Sequence, residues 1–147
     1  MEIRSRCASD LDAVRSLLRA AELPLDGVDD ARGWVALSGG AVIGHVGLEE
    51  LGASAILRSL VVAPAARGTG VGRALLLHAE KESAGRNVYL RTRAINAWVE
   101  RRGYQTMELA DVPVELRASP EFSGHICTSV PVYIKRARTM PTTAEMA

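Results

Sequence analysis

The segment Arg67-Gly68-Thr69-Gly70-Val71-Gly72-Arg73 constrains this chain more than any other. It follows an apolar run at 56–62 and precedes residues 72–83, where Leu75, Leu76 and Ala79 recur at helical spacing before Gly85 stops the helix. A strand, a glycine-rich turn and a helix in that order make a cradle for an anion. The first N–H groups of a helix have no partner within it, and the helix dipole is positive at that end. Glycine permits close approach of the backbone, and Arg67 and Arg73 add charge. Two other phosphate motifs do not fit. The P-loop ends in Gly-Lys-Ser/Thr, whereas Gly72 is followed by Arg73-Ala74. The dinucleotide fingerprint is G-x-G-x-x-G on the first strand of a domain. Here Gly68, Gly70 and Gly72 are spaced G-x-G-x-G and other elements come first.

The remaining chain divides into short elements. Residues 3–6 suit a first strand. Ser9 is the expected N-cap of a helix carrying Leu11, Val14, Leu17, Leu18 and Ala21, with Asp12 three residues on and Leu23-Pro24 at its end. After a polar loop at 25–33, two apolar runs at 34–37 and 42–50 flank Ser38-Gly39-Gly40, a hairpin signature. Residues 88–92 suit a strand, 96–102 a short helix closed by Gly103, and 104–109 and 127–135 two final strands. Pro131 assigns the last of these to an edge or a bulge. The order β-α-β-β-β-α-β-α-β-β predicts a single α/β domain over 1–136, and the polar, aromatic-free residues 137–147 are expected to form a flexible tail.

Composition narrows the function. With 147 residues, 48% of them hydrophobic, and a net charge of +1, the chain can bury a core and is not a disordered one. Its apolar runs fall well short of the roughly 18 residues of a membrane span. Met1-Glu2-Ile3-Arg4-Ser5-Arg6 lacks the apolar stretch of a signal peptide, so a cytoplasmic location is expected. Of the 18 basic residues only Lys81 and Lys135 are lysines, leaving 16 arginines, whose planar forks suit phosphate and carboxylate. Seventeen acids lie among them and aromatics make up only 4%, which argues against a nucleic-acid surface and for one local anion site. Cys7 and Cys127 show neither CxxC nor His-rich spacing, so no disulfide framework or metal site is expected.

Arg67, Gly70 and Gly72 match a third anion motif, Arg/Gln-x-x-Gly-x-Gly/Ala, and through it the chain resembles the GCN5-related N-acetyltransferase (GNAT) superfamily over residues 3–135. The resemblance implies a mixed, mostly antiparallel sheet of six to seven strands flanked by helices. It also implies that Arg67, Gly68, Thr69, Gly70, Val71, Gly72 and Arg73 hold the pyrophosphate of acetyl-coenzyme A. Arg58-Ser59-Leu60-Val61-Val62-Ala63-Pro64 looks like the strand that pairs with the pantetheine arm. One amide near Leu60 to Val62 then polarises the thioester carbonyl, a preorganised oxyanion-type donor; Leu60, with Ser59 beside it, is the catalytic candidate. Thr92 stands where many members have asparagine, Trp98 takes the aromatic position before Gly103, and Arg101 or Arg102 suits the remaining phosphate. Val99 departs from the pattern, because many members carry there the tyrosine that protonates the departing thiolate. Another group or water supplies that proton, or the thiolate leaves unaided, which a thiol pKa of about 8.5 tolerates. A homodimer is an expectation by analogy only.

For the acceptor side, Glu49 and Glu50 end the long second strand of the hairpin and face opposite ways, so at most one enters a cleft. Glu49 is the candidate base and acceptor contact; the other reading is a solvated strand end. At pH 7 an α-amine with a pKa of about 8 gives up its proton for about 1.4 kcal/mol, and a lysine-like amine for about 4.6. Arg58 is either a clamp for a substrate carboxylate or half of an internal salt bridge. His45 reads as an ordinary strand residue and His78 as a solvated one. Residues 111–129, with Phe122 as the chain's one phenylalanine and His125 among them, exceed a simple hairpin and suit a substrate lid. Leu48-Glu49, Leu57-Arg58-Ser59-Leu60, Val112-Pro113 and Glu121-Phe122-Ser123 together resemble the arsenic-resistance-associated branch of the superfamily. Some relatives there acetylate the amino group of amino-acid-like toxins such as phosphinothricin and its arsenic analogue. Ile126-Cys127-Thr128-Ser129 departs from that branch's Cys-Pro-x-Ser-like stretch. The implied reaction is direct attack of a primary amine on acetyl-coenzyme A in a ternary complex. Cys127 as covalent nucleophile, a non-catalytic coenzyme A-binding module and an NAD-binding domain are the alternatives.

Overall fold

The chain runs β1 (Glu2–Ser5), α1 (Leu11–Ala20), β2 (Arg32–Ser38), β3 (Ala41–Leu51), β4 (Ser54–Val62), α2 (Val71–Glu82), β5 (Asn87–Arg91), α3 (Asn96–Glu100), β6 (Gln105–Met107), α4 (Pro120–Ser123) and β7 (Val132–Lys135) in the computed structural model, which describes residues 1–123 and 130–137. The strands form one sheet in the order β1-β2-β3-β4-β5-β7-β6. Every neighbouring pair is antiparallel except β4 with β5. No helix among the described residues is long and apolar enough to cross a membrane.

Alternation along the strands sorts the side chains onto two faces. On one, Trp34, Ala36, Val46, Leu48, Ala55, Leu57, Val88, Leu90 and Tyr133 pack under Val71, Leu75, Leu76 and Ala79 of α2 and Val99 of α3. The other face carries two smaller cores. Val14 and Leu18 of α1 cover Val35, Leu37 and Val61, while Val112 and Leu116 cover Ile56, Tyr89, Val132 and Ile134. The segment expected as a lid thus begins as a structural cover for β5 and β7.

Three expectations about local structure change. Ser9 does not cap α1: the chain enters through a 3-10 turn at Ala8–Asp10, and the Asp10 carboxylate accepts the Cys7 N–H at 2.8 Å. Arg4 grips that carboxylate at 2.8 and 3.1 Å, so Asp10, 6% exposed, is titrated only well below the usual carboxylate range, chiefly through the Arg4 bond. Pro131 does not mark an edge, because β7 lies between β5 and β6 and Pro131 stops just short of it, its carbonyl accepting the Thr92 N–H at 3.4 Å. The strand expected at 104–109 is shortened to Gln105–Met107 by a 3-10 turn at Leu109–Asp111. His125, Cys127 and residues 138–147 lie outside the described residues.

Candidate active site

Two irregularities in β4 shape the middle of the sheet. The first is its pairing with β5, which runs Ser54 to Asn87, Ala55 to Val88 and Ile56 to Tyr89 and then ceases. Beyond Ile56 the two strands diverge, β5 keeping β7 as its partner as far as Arg91 opposite Val132. The second is a bulge. Gly47 pairs with Arg58 and His45 with Val61, so Val46 alone opposes both Ser59 and Leu60. An extra residue disrupts the ladder locally and bends the strand. Ser59 adopts φ +53°, the left-handed region that non-glycine residues rarely enter. The extra residue also moves Leu60 onto the same face as Leu57 instead of the opposite one.

His45 explains how the bulge is held. It is fully buried, with Nε2 3.0 Å from Arg6 Nη1 and Nδ1 2.9 Å from the Ser59 carbonyl. Arginine can only donate, so Nε2 accepts and Nδ1–H donates to Ser59, which fixes the neutral tautomer. Burial, reinforced by Arg6 and Arg58, pushes the imidazole pKa down to about 4. His45 is therefore more than an ordinary strand residue.

The turn after β4 presents backbone. Gly68 and Gly70 have φ of +78° and +90°, and a Cβ built on either would meet no atom within 4 Å. Gly70 is the N-cap of α2, which has neither a side-chain cap nor an acid in its first turn. The first N–H groups of the helix therefore face open space without a competing anion. Arg67 Nε bonds the Val62 carbonyl at 3.1 Å and the Thr69 hydroxyl bonds the Ala66 carbonyl, folding the turn back on itself. Trp98 supports the cradle from below: a Cβ at Gly72 would lie 3.6 Å from its ring. Arg102 stacks on that ring at 3.9 Å and bonds the Trp98 carbonyl at 2.8 Å, leaving its Nε buried without a hydrogen-bond partner. Burial and the nearby charges of Arg101 and Arg73 lower the pKa of Arg102. Three arginines, Arg73, Arg101 and Arg102, thus act electrostatically on one another on this side of the sheet, and a multiply charged anion would relieve their repulsion. The open glycine cradle and these cations suit the phosphates of coenzyme A.

Opposite the cradle, on the sheet face of α1, lies a cluster of paired side chains. Arg58, 3% exposed, donates from Nη1 to Glu49 Oε1 at 2.9 Å, from Nε to Ser59 Oγ at 3.3 Å and from Nη2 to the Asp26 carbonyl. Of the two readings of Arg58, the internal ion pair is the one present. Glu49 also receives the Ser119 hydroxyl at 3.0 Å on each oxygen, so it is engaged rather than solvated. Glu50 faces away, towards Arg32 at 2.6 Å and Arg86 at 2.9 Å, as strand alternation requires. Ser119 accepts the Glu121 N–H at 3.2 Å as the cap of α4. Glu121 is 8% exposed, and burial pushes its carboxyl up, followed by opposing effects of Arg58 and Arg91 and a reinforcing one of Glu49.

Other candidates take supporting positions. Phe122 turns into the core beneath the segment, with the Arg91 guanidinium 5.5 Å from its ring centre. The Thr92 hydroxyl accepts the N–H groups of Ala94 and Ile95 at 3.2 and 3.3 Å, capping the turn into α3. Asn96 bonds the Tyr133 hydroxyl at 2.7 Å, and that hydroxyl donates to Glu100 at 3.1 Å. Val99 is fully buried in the core. His78 is half-buried, edge-on to Trp34 at 5.4 Å. Sequence reasoning passed over Arg6, Asp26, Ser119 and Glu121 as site residues. Only Ser119-Pro120-Glu121, a serine cap with proline at the first helical position, carried a local signal.

A family model described as an acetyltransferase (GNAT) domain matches residues 29–106, just over half of the chain, from the loop before β2 into β6. None of the curated protein sequences matches. Among solved structures, the N-acetylglutamate synthase from Neisseria gonorrhoeae complexed with coenzyme A and N-acetyl-glutamate superposes with a TM-score of 0.81 at 18% identity, over 94% of this chain and 35% of that one. The chain therefore spans about a third of that synthase. A Mycobacterium tuberculosis protein in complex with CoA gives 0.75 at 20% identity, covering 94% and 100% of the two chains. An aminoglycoside 6'-N-acetyltransferase complexed with coenzyme A gives 0.70 at 17% identity, covering 97% and 100%. These likenesses establish a shared fold. With the divergence of β4 from β5, the bulge and the cradle all inside the matched residues, the chain belongs to the GNAT acetyltransferase family.

Proposed function

We propose that this chain transfers acetyl from acetyl-coenzyme A to the primary amine of a small, amino-acid-like acceptor, by direct attack in a ternary complex. The observation that carries the reading is the gap between β4 and β5, flanked by an uncapped glycine cradle on one side and a buried polar cluster on the other. Gly68, Thr69, Gly70, Val71 and Gly72 hold the pyrophosphate through backbone N–H groups, with Arg67 and Arg73 beside them. Arg101 and Arg102 take the remaining phosphate. Residues Leu60, Val61 and Val62 lie along the pantetheine arm, and the Leu60 amide, turned by the bulge, donates to the carbonyl oxygen of the acetyl group. Acetyl-coenzyme A supplies the acetyl group as a thioester.

An amino-acid-like acceptor is supported by the branch resemblance and by the N-acetyl-glutamate bound to the gonococcal synthase. Toxins of the phosphinothricin and arsenical kind belong to the same chemical class. Because each side of the Arg58 fork already has a partner, a carboxylate acceptor engages it by displacing Glu49 or the Asp26 carbonyl. The test is thiol release from acetyl-coenzyme A across the free amino acids, phosphinothricin and its arsenic analogue. Release with at least one amine is expected. Tight coenzyme A binding without release for any amine would favour a binding module, the reading that Val99 in the usual tyrosine position favours.

A further inference from the structure

Among the described residues, no hydrogen bond reaches the carboxylate oxygens of Glu121. Glu49 receives three hydrogen bonds from Arg58 and Ser119. Glu121 is more than nine-tenths buried, yet among the described residues its hydrogen bonds involve only its backbone: the N–H to Ser119 Oγ at 3.2 Å and the carbonyl from Arg91 Nη1 at 3.5 Å. The residue is buried but its carboxylate oxygens are not among the sealed, unpartnered atoms, so a ligand cation can reach them. Its charged neighbours are Arg58 on β4 and Arg91 on β5, the two strands that diverge, and Glu49 on the adjoining β3. Arg58 is adjacent to the bulge residue Ser59, and Arg91 ends β5 on the far side of the divergence. Ser119, two residues before Glu121, bonds Glu49 on β3, and the Glu121 carbonyl accepts from Arg91 at the end of β5. The segment that carries Glu121 is thus tied to the strands on both sides of the gap.

We propose that Glu121 is the catalytic base, meeting the acceptor's ammonium group and taking one of its protons. The inference rests on the acetyltransferase reading above. Removal of that proton frees the nitrogen lone pair to form the C–N bond to the acetyl carbon as the C–S bond breaks. The second proton that the nitrogen must lose ends on the released thiol, and Glu121 returns the first to solvent. Burial suits Glu121 to the task by raising its proton affinity towards the working pH. Glu49, already held by Arg58 and Ser119, is not free for that task.

The test compares Glu121→Gln and Glu121→Ala with the unaltered protein, using the amine that gives the fastest thiol release in the screen. Glu121→Gln keeps the shape and removes a buried charge, so it should fold and keep its affinity for coenzyme A within about twofold. We expect kcat/KM for the amine to fall about a hundredfold or more and the low-pH limb set by Glu121 to vanish from the pH profile. The amine's calorimetric affinity for the protein–coenzyme A complex should fall about tenfold. Formate should restore part of the rate to Glu121→Ala but not to Glu121→Gln. A Glu121→Gln variant within threefold of the unaltered rate, or an unchanged pH profile, would overturn the proposal. If the unaltered protein binds coenzyme A but acetylates no amine, the acetyltransferase reading itself falls and this one with it.

Discussion

The cradle and the acceptor-side cluster sit on opposite faces of one gap and are built in opposite ways. The cradle is seven consecutive residues whose working groups are backbone N–H, and it stays open to solvent. The cluster draws Asp26, Glu49, Arg58, Arg91, Ser119 and Glu121 from five segments and works chiefly through side chains, with Arg58, Ser119 and Glu121 buried. A contiguous backbone device changes binding when altered but adds little to folding. A dispersed side-chain device is part of the fold's stability, so damage to it reaches both.

Arg58→Met breaks this contrast most directly, since it strips Glu49 and the Asp26 carbonyl of a buried donor. Stability should fall by about 3 kcal/mol or more, read by urea unfolding. Pairing it with Glu49→Gln in a double-mutant cycle should recover part of that loss, as expected for groups in contact. Equal and additive losses would mean that the pair is not coupled. Gly70→Glu is the converse test. The carboxylate enters an anion cradle, so the Kd for coenzyme A should rise about a hundredfold, about 2.7 kcal/mol. The φ of +90° should cost the fold only about 1–2 kcal/mol. Unchanged affinity would remove the cradle from the cofactor site.

His45→Leu probes the seam between the two devices. Losing both ring bonds should cost about 2 kcal/mol, and should lower kcat more than it raises the Kd for coenzyme A. The pH dependence has a definite sign. With its folded pKa near 4 and a reference near 6.5, His45 binds fewer protons folded than unfolded between those values. Its contribution is complete above pH 6.5 and lost as pH falls to 4, with a slope of at most about 1.4 kcal/mol per pH unit. Urea titrations at pH 7, 5.5 and 4.5 should show that slope, flattened in His45→Leu.

The same contrast governs what could be read in advance. The order of elements and the cradle were legible, because glycine spacing and apolar periodicity are local signals. Ser9 failed as a cap because the chain enters α1 through a 3-10 turn held by Asp10, which Arg4 of β1 and the Cys7 N–H fix, an arrangement invisible to local spacing. Pro131 misled because a proline just outside a strand looks the same as one inside it. The acceptor cluster was half legible. Arg58 stood out as a charge in an apolar strand, but its partners lie 9 and 32 positions away. Glu121 gave no sign of burial, since nothing in its neighbours announces that the segment folds back over β5.

The one-residue excess in β4 has a consequence for how such a domain can change over time. Upstream of Ser59 the strand keeps one phase against the helices, and downstream it keeps the other. Deleting Ser59 would turn Leu60, Val61 and Val62 inside out in a single event, whereas substitutions on either side leave that phase intact. The bulge thus divides the strand into two independently variable halves. On the proposed reading, the half that carries Arg58 can vary with the acceptor while the half that follows Ser59 keeps its phase.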